Sequence, residues 1–216
     1  MPFITTIRSA KRRSGWIEIQ LDGASRIVLP GDEATRLGLV EGQELEADEV
    51  ERVRRRAELA EARRIALRYL SVRPRSRREV ELRLRRAGIG TDAIASTATR
   101  MRELGYLDDR AFAAAFVRDR IRLKPSGARR LRSDLRARGV SAEDAELGIR
   151  EAMAELRTAE EDLLERAAAK RARRLDRLEP ERARRRLFAF LTRRGFEAAD
   201  ARRWIDRRWP PPEAGG

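Results

Sequence analysis

ARRLRSDLRARGV, residues 128–140, decides how this chain is read, because the same pattern stands on either side of it. RREVELRLRRAGI (77–89) precedes it and RRRLFAFLTRRGF (184–196) follows it. Placed in register, Val80, Leu131 and Leu187 coincide, as do Leu84, Leu135 and Leu191. Gly88, Gly139 and Gly195 also coincide, each followed by an apolar residue: Ile89, Val140 or Phe196. Apolar residues four apart share one face of a helix. A glycine directly after such a helix supplies the left-handed residue that ends it. Each copy is therefore a short helix with one buried face and a glycine stop. The glycines recur at intervals of 51 and 56 residues. With a helix before and after each copy, that spacing marks a tandem array of three-helix units.

Outward from these cores the pattern stays helical. DEVERVRRRAELAEARRIALRYLSV (48–72) reads as one long helix ended by Arg73-Pro74, since the residue before a proline is pushed out of the helical region. TDAIASTATRMRELG (91–105) reads as a helix stopped by Gly105. Asp108 or Asp109 caps the next one, which runs to Pro125. The first fifty residues differ. GWIEIQLDG alternates Trp16, Ile17, Ile19 and Leu21 with polar residues and ends on an Asp22-Gly23 turn. SRIVLP (25–30) follows as a second strand, then a helical turn stopped at Gly38, then a strand segment near Leu45. This cap buries too little apolar surface to be stable alone.

The fold expected is mainly α: three tandem three-helix repeats forming a curved elongated rod, with a small β-containing N-terminal cap. The cap takes residues 1–50. A linker helix and the first repeat take 51–107, the second repeat 108–157 and the third 158–209, with a flexible tail at 210–216.

Composition narrows the function. Of 50 cationic residues three are lysines (Lys11, Lys124, Lys170), and the formal net charge is +14. GC-rich codon usage favours arginine over lysine, but it does not require an excess of cations, nor their alternation with acidic stretches. Residues 63–88 carry ten bases and two acids, 118–138 nine and two, and 166–209 sixteen and six. Residues 22–51 and 141–165 each carry nine acids and two bases. Basic blocks of this kind attract phosphate polymers or acidic protein surfaces. The absence of His and Cys excludes imidazole bases, thiol nucleophiles and zinc fingers. No carboxylate constellation suggests acid–base or metal catalysis, so no enzyme and no cofactor are expected. No apolar run long enough to span a membrane or to serve as a secretory signal occurs, which points to the cytoplasm.

Within the repeats the leucines are core and the glycines are caps. A solvated helix face would explain scattered charge, but not one sign of charge in three successive units. Arg77, Arg78, Arg83, Arg85 and Arg86 recur as Arg129, Arg130, Arg132, Arg136 and Arg138, then as Arg184, Arg185, Arg186, Arg193 and Arg194.

ALRYLSVRPRSRREVELRLRRAGI, LGYLDDRAFAAAFVRDR and KPSGARRLRSDLRARGV together resemble the RecX regulatory proteins, bacterial modulators of the RecA recombinase. Gly105-Tyr106-Leu107-Asp108-Asp109 followed by Phe112 and Phe116-Val117-Arg118-Asp119-Arg120 is the most specific part. One departure is DDRAFA, where the family usually carries an acidic residue straight after the Asp pair. The resemblance implies a monomeric, non-enzymatic protein that lies in the groove of the RecA–DNA filament. It would lower the filament's ATPase, growth and strand exchange in recombination, DNA repair and the SOS response. Partners would be the RecA recombinase filament and single- or double-stranded DNA, met through basic faces. The binding residues expected are Arg77, Arg78, Arg83, Arg118, Arg122, Lys124, Arg129, Arg130, Arg132, Arg184 and Arg185. Tyr106, Leu107, Phe112 and Phe116 are expected to be buried, and Trp204 and Trp209 to close the third repeat.

Two other classes remain open at this stage. A helix-turn-helix-like transcription factor would need a helix mixing Asn, Gln, Ser and Arg to read base edges, which no segment offers. An RNA-binding protein would fit the pI near 11.3.

Overall fold

In a computed structural model of the chain, residues 1–11, 13–22 and 25–210 are described. The tail expected at 210–216 lies outside them apart from exposed Pro210, and Gly23 of the expected turn lies outside them too. The chain forms two compact units. One comprises residues 1–73 and 79–107, the other 74–78 and 108–216.

The first unit opens with β1 (Ile4–Ser9), β2 (Trp16–Leu21) and β3 (Ser25–Pro30), an antiparallel sheet in that order. The strand segment expected near Leu45 is only a single bridge, Phe3 to Glu44. β1 was not anticipated from the sequence, because ITTIRS alternates weakly and gains its definition from pairing with β2. Alternation puts Ile19 and Leu21 of β2 and Ile27 and Leu29 of β3 on one face. That face packs against Val50, Val53 and Ala57 of α2 (Ala47–Leu70). The short α1 (Gly31–Arg36) adds Ala34, and Gly38 stops it at φ +65°.

α2 then continues into a second core. Its Ala62 and Ala66 join Val80 and Leu84 of α3 (Arg77–Arg86) and Ile94, Ala98 and Met101 of α4 (Thr91–Glu103). Glu58 of α2 accepts the Gly90 N–H at 2.7 Å and so satisfies a donor at the start of α4. Leu107 is buried in this core.

The second unit is α5 (Asp109–Leu123), α6 (Ala128–Arg136), α7 (Ala142–Glu155), α8 (Glu160–Ala172), α9 (Pro180–Arg193) and α10 (Ala198–Arg208). Asp108 caps α5 by accepting the Ala111 N–H at 2.9 Å, and Ser141 caps α7 through Asp144 N–H. One continuous core serves both three-helix segments. It runs from Phe112, Val117, Leu131 and Leu135 through Leu163 and Ala168 to Leu187, Leu191, Phe196 and Trp204. Two expectations fail in degree: Tyr106 is 56% exposed and Phe116 is half-buried. Tyr106 follows the Gly105 stop with its ring exposed, while the next residue, Leu107, turns into the core.

The expected register holds. Val80, Leu131 and Leu187 are buried, as are Leu84, Leu135 and Leu191. Gly88, Gly139 and Gly195 adopt φ of +82°, +80° and +82°. Burying one leucine contributes about 1.5–3 kcal/mol, so these six positions anchor all three units.

Candidate anion-binding surface

The second unit contains a repeated joint that brings distant cations together. Gly127 N–H, just before α6, donates to Arg194 O, just after α9, at 3.0 Å. The equivalent position in the preceding copy, Ser76, donates its hydroxyl to Arg138 O at 2.7 Å. A glycine is required at 127, since a Cβ there would stand 2.3 Å from Gly195 O. The start of α6 is held further by Glu160 of α8, which accepts Ala128 N–H at 3.0 Å. The end of α5, the start of α6, the body of α8 and the end of α9 are thereby fixed around one cleft.

Ten of the sixteen residues that line that cleft are cations. α5 and its end supply Arg120, Arg122 and Lys124, and α6 supplies Arg130. α8 and the turn after it supply Arg166, Lys170, Arg171 and Arg174, and the end of α9 supplies Arg193 and Arg194. Asp134 is the carboxylate among the lining residues, and it is committed: Arg120 pairs with it at 2.7 Å and Arg130 at 3.0 Å. The cleft has two depressions of about 250 and 190 Å³, which share Lys124, Phe190 and Arg194.

The deeper guanidiniums are held by aromatic rings and carbonyls. Arg171 and Arg194 lie over the Phe190 ring, 5.4 and 4.9 Å from its centroid, where the negative ring face attracts a cation. Arg194 also donates to Pro125 O at 3.0 Å. Arg166 reaches Ile121 O, and the buried Nε atoms of Arg120 and Arg171 have no acceptor. Burial, reinforced by repulsion from Arg120 and Arg130, lowers the Arg194 pKa from its usual value. An arginine remains charged at neutral pH all the same. The cleft therefore holds like charges whose repulsion an incoming anion would relieve.

The residues expected to bind divide by environment. Arg122, Lys124 and Arg130 line this cleft, all exposed. Arg129 and Arg185 are exposed elsewhere on the second unit, and Arg83 is exposed on α3. Arg77 and Arg78 are exposed at the start of α3. There Arg77 N–H donates to Asp109 at 2.8 Å, and the Arg78 stem covers Gly139. Three others engage internal acids. Arg118 pairs with Glu155 at 2.7 Å, and Arg132 pairs with Glu146. Half-buried Arg184 bonds Asp206 at 2.6 Å and also the Trp209 carbonyl, closing the third repeat.

The sequence reading missed Arg120, Arg166, Lys170, Arg171 and Arg174 as members of a site. A signal was present: Arg166, Lys170 and Arg174 stand four apart, on one face of α8 and its continuation.

A second cavity, about 720 Å³, lies in the first unit, but its charges are mostly matched. Arg8 and Arg26 pair with Glu18, and Arg13 pairs with Glu61. Among the described residues no cluster fit to hold a metal ion occurs, and no helix is long and apolar enough to cross a membrane.

Comparison with known proteins finds three three-helix domains in succession along the chain. Residues 62–101 match the family model for the first three-helix domain of RecX, 108–148 the second and 159–205 the third. The regulatory protein RecX of Prosthecochloris aestuarii is 37% identical over 141 residues, covering 65% of this chain and 89% of that protein. That of Lactobacillus johnsonii is 33% identical over 141 residues, again 65% of this chain, but the match spans only 52% of its length. A crystal structure of regulatory protein RecX superposes with a TM-score of 0.72 at 23% identity, covering 96% of this chain and all of the other, and so shares the fold. With the three domains present in sequence order, the chain belongs to the RecX family of regulatory proteins.

Proposed function

We propose that this protein binds the RecA recombinase–DNA filament and modulates it, mainly by inhibiting its ATPase, its growth and strand exchange in recombination and DNA repair. The observation that carries this reading is the ordered set of three RecX three-helix domains, supported by relatives that are named regulatory proteins. The basic faces of the helices supply the means: exposed cations meet filament phosphates and acidic protein surface through long-range attraction. The protein acts by occupancy rather than by chemistry of its own, as a monomer in the cytoplasm. Adding it to preformed recombinase filaments on single-stranded DNA tests this reading. ATP hydrolysis should fall with increasing protein, and an unchanged rate at saturating protein refutes it.

A further inference from the structure

We infer that the cleft between α5, α6, α8 and α9 is a phosphodiester site. It holds the backbone of a nucleic-acid strand and is indifferent to the bases. This deepens the filament reading by placing a strand contact on the second unit, and it can fail separately from that reading.

Three observations carry it. Ten cations converge with one carboxylate, and that carboxylate, Asp134, is already paired twice. The site is therefore built with charge to spare for an anion from outside. The two linked depressions share Lys124 and Arg194, an arrangement suited to successive monoanions joined by a short linker.

The second observation is the choice of cation. The chain has three lysines among 50 cations, and two of them, Lys124 and Lys170, line this cleft. An arginine fork matches a carboxylate laid flat against it, as the Arg132–Glu146 pair shows within this same unit. A lysine ammonium is a compact point charge with three rotatable donors, which meets a tetrahedral phosphate from any direction. Guanidinium forks pair bidentately with phosphate as well, so the eight arginines and two lysines of the cleft offer a phosphodiester both kinds of donor.

The third observation concerns the bases. Non-specific single-strand binders stack bases on open aromatic faces. Here Phe190, the aromatic residue in the lining, is flanked by the Arg171 and Arg194 guanidiniums and so is not a free stacking platform. The exposed apolar side chain at the rim is Leu123, which suits contact with a sugar rather than a base plane. A strand would be gripped by its phosphates alone.

The test uses the full chain without recombinase. Binding of labelled 20-nucleotide dT and dA strands is followed by fluorescence anisotropy for three proteins. These are the wild type, the cleft variant Lys170→Gln/Arg174→Gln, and Arg55→Gln/Arg56→Gln, which removes the same charge from exposed positions on α2 that were not among the expected binding residues. Thermal melts confirm that all three fold. The cleft variant should bind at least tenfold more weakly and the control within twofold of wild type, with dT and dA bound alike. Equal losses in the two variants overturn the site, because attraction would then be diffuse. A tenfold preference for one base overturns its indifference to bases. Poly-glutamate displacing the strand at equal charge concentration overturns the phosphate assignment in favour of an acidic protein. If strands bind nowhere yet filament ATPase still falls, the cleft assignment fails while the regulatory reading stands.

Discussion

Gly88, Gly139 and Gly195 offer a graded experiment, since they share a backbone conformation but not surroundings. Each has φ close to +80°. Alanine at any of them incurs about 1–2 kcal/mol of left-handed strain, offset by roughly 0.4–1 kcal/mol from the less flexible unfolded chain. At Gly88 nothing stands within 4 Å of an added Cβ, so the net loss should be about 1 kcal/mol. At Gly139 the Cβ would meet the Arg78 side chain at 2.4 Å, and that chain can swing aside only in part because its own Cβ is 2.5 Å away. At Gly195 the Cβ would meet Arg130 N at 2.3 Å, and a backbone atom in a helix cannot move without breaking the joint that Gly127 makes. Overpacking of this kind adds about 1–3 kcal/mol or more. The order of loss should therefore be Gly88→Ala, then Gly139→Ala, then Gly195→Ala, the last reaching roughly 3 kcal/mol. Scanning calorimetry reads this as melting shifts of about 3 °C for Gly88→Ala and roughly 10 °C for Gly195→Ala, given a scale of 2–4 °C per kcal/mol for a chain of this size. Equal shifts at Gly88 and Gly195 would refute the close approach of α6 to the end of α9.

Two pairs in the second unit make further predictions. Burial, with Asp144 and Asp108 nearby, raises the Asp109 pKa, so the folded state holds that proton more tightly than the unfolded chain. Its ionisation therefore weakens folding as pH rises through the folded value. Asp109→Asn keeps an acceptor for Arg77 N–H and should melt above wild type at pH 7, with the gap closing in acid; Asp109→Ala should melt below wild type. Glu146 shows the opposite sign. The hydrogen bond from Arg132 lowers its pKa, so the stability it contributes is present above the ordinary carboxylate value and fades as pH falls through the folded one. Because the pair is exposed, Arg132→Gln should cost less than about 1 kcal/mol in urea melts and leave strand binding unchanged. A tenfold loss of binding in Arg132→Gln would return that residue to the interface.

The fold was legible wherever local pattern and tertiary role coincide. Leu84, Leu135 and Leu191 needed helical spacing alone, and the glycines after them needed only their place at a helix end. β1 was not legible, because ITTIRS has little alternation of its own and becomes a strand by pairing with β2. The surface divided in the same way. Single-sign charge was visible residue by residue, but its state was not. Arg118, Arg132 and Arg184 engage acids 37, 14 and 22 positions away, from stretches that read separately as acidic blocks or helix surface. The cleft draws on four elements between residues 120 and 194, and a repeat alignment compares like positions rather than the unlike ones that meet there.

Within the first unit, α2 packs Val50, Val53 and Ala57 against the sheet and Ala62 and Ala66 into the three-helix core. One rigid rod thus fixes the rotational phase between two separately built faces. Inserting a single residue between Ala57 and Ala62 would turn the downstream face by about 100° and empty one core, whichever side held its place. Seven extra residues would return the face to within roughly 20°. Length variation at this point of the chain is therefore quantised. Natural or engineered insertions between the β-cap and the first three-helix segment should favour about seven, eleven or eighteen residues, the lengths that bring the face back to within roughly 20°.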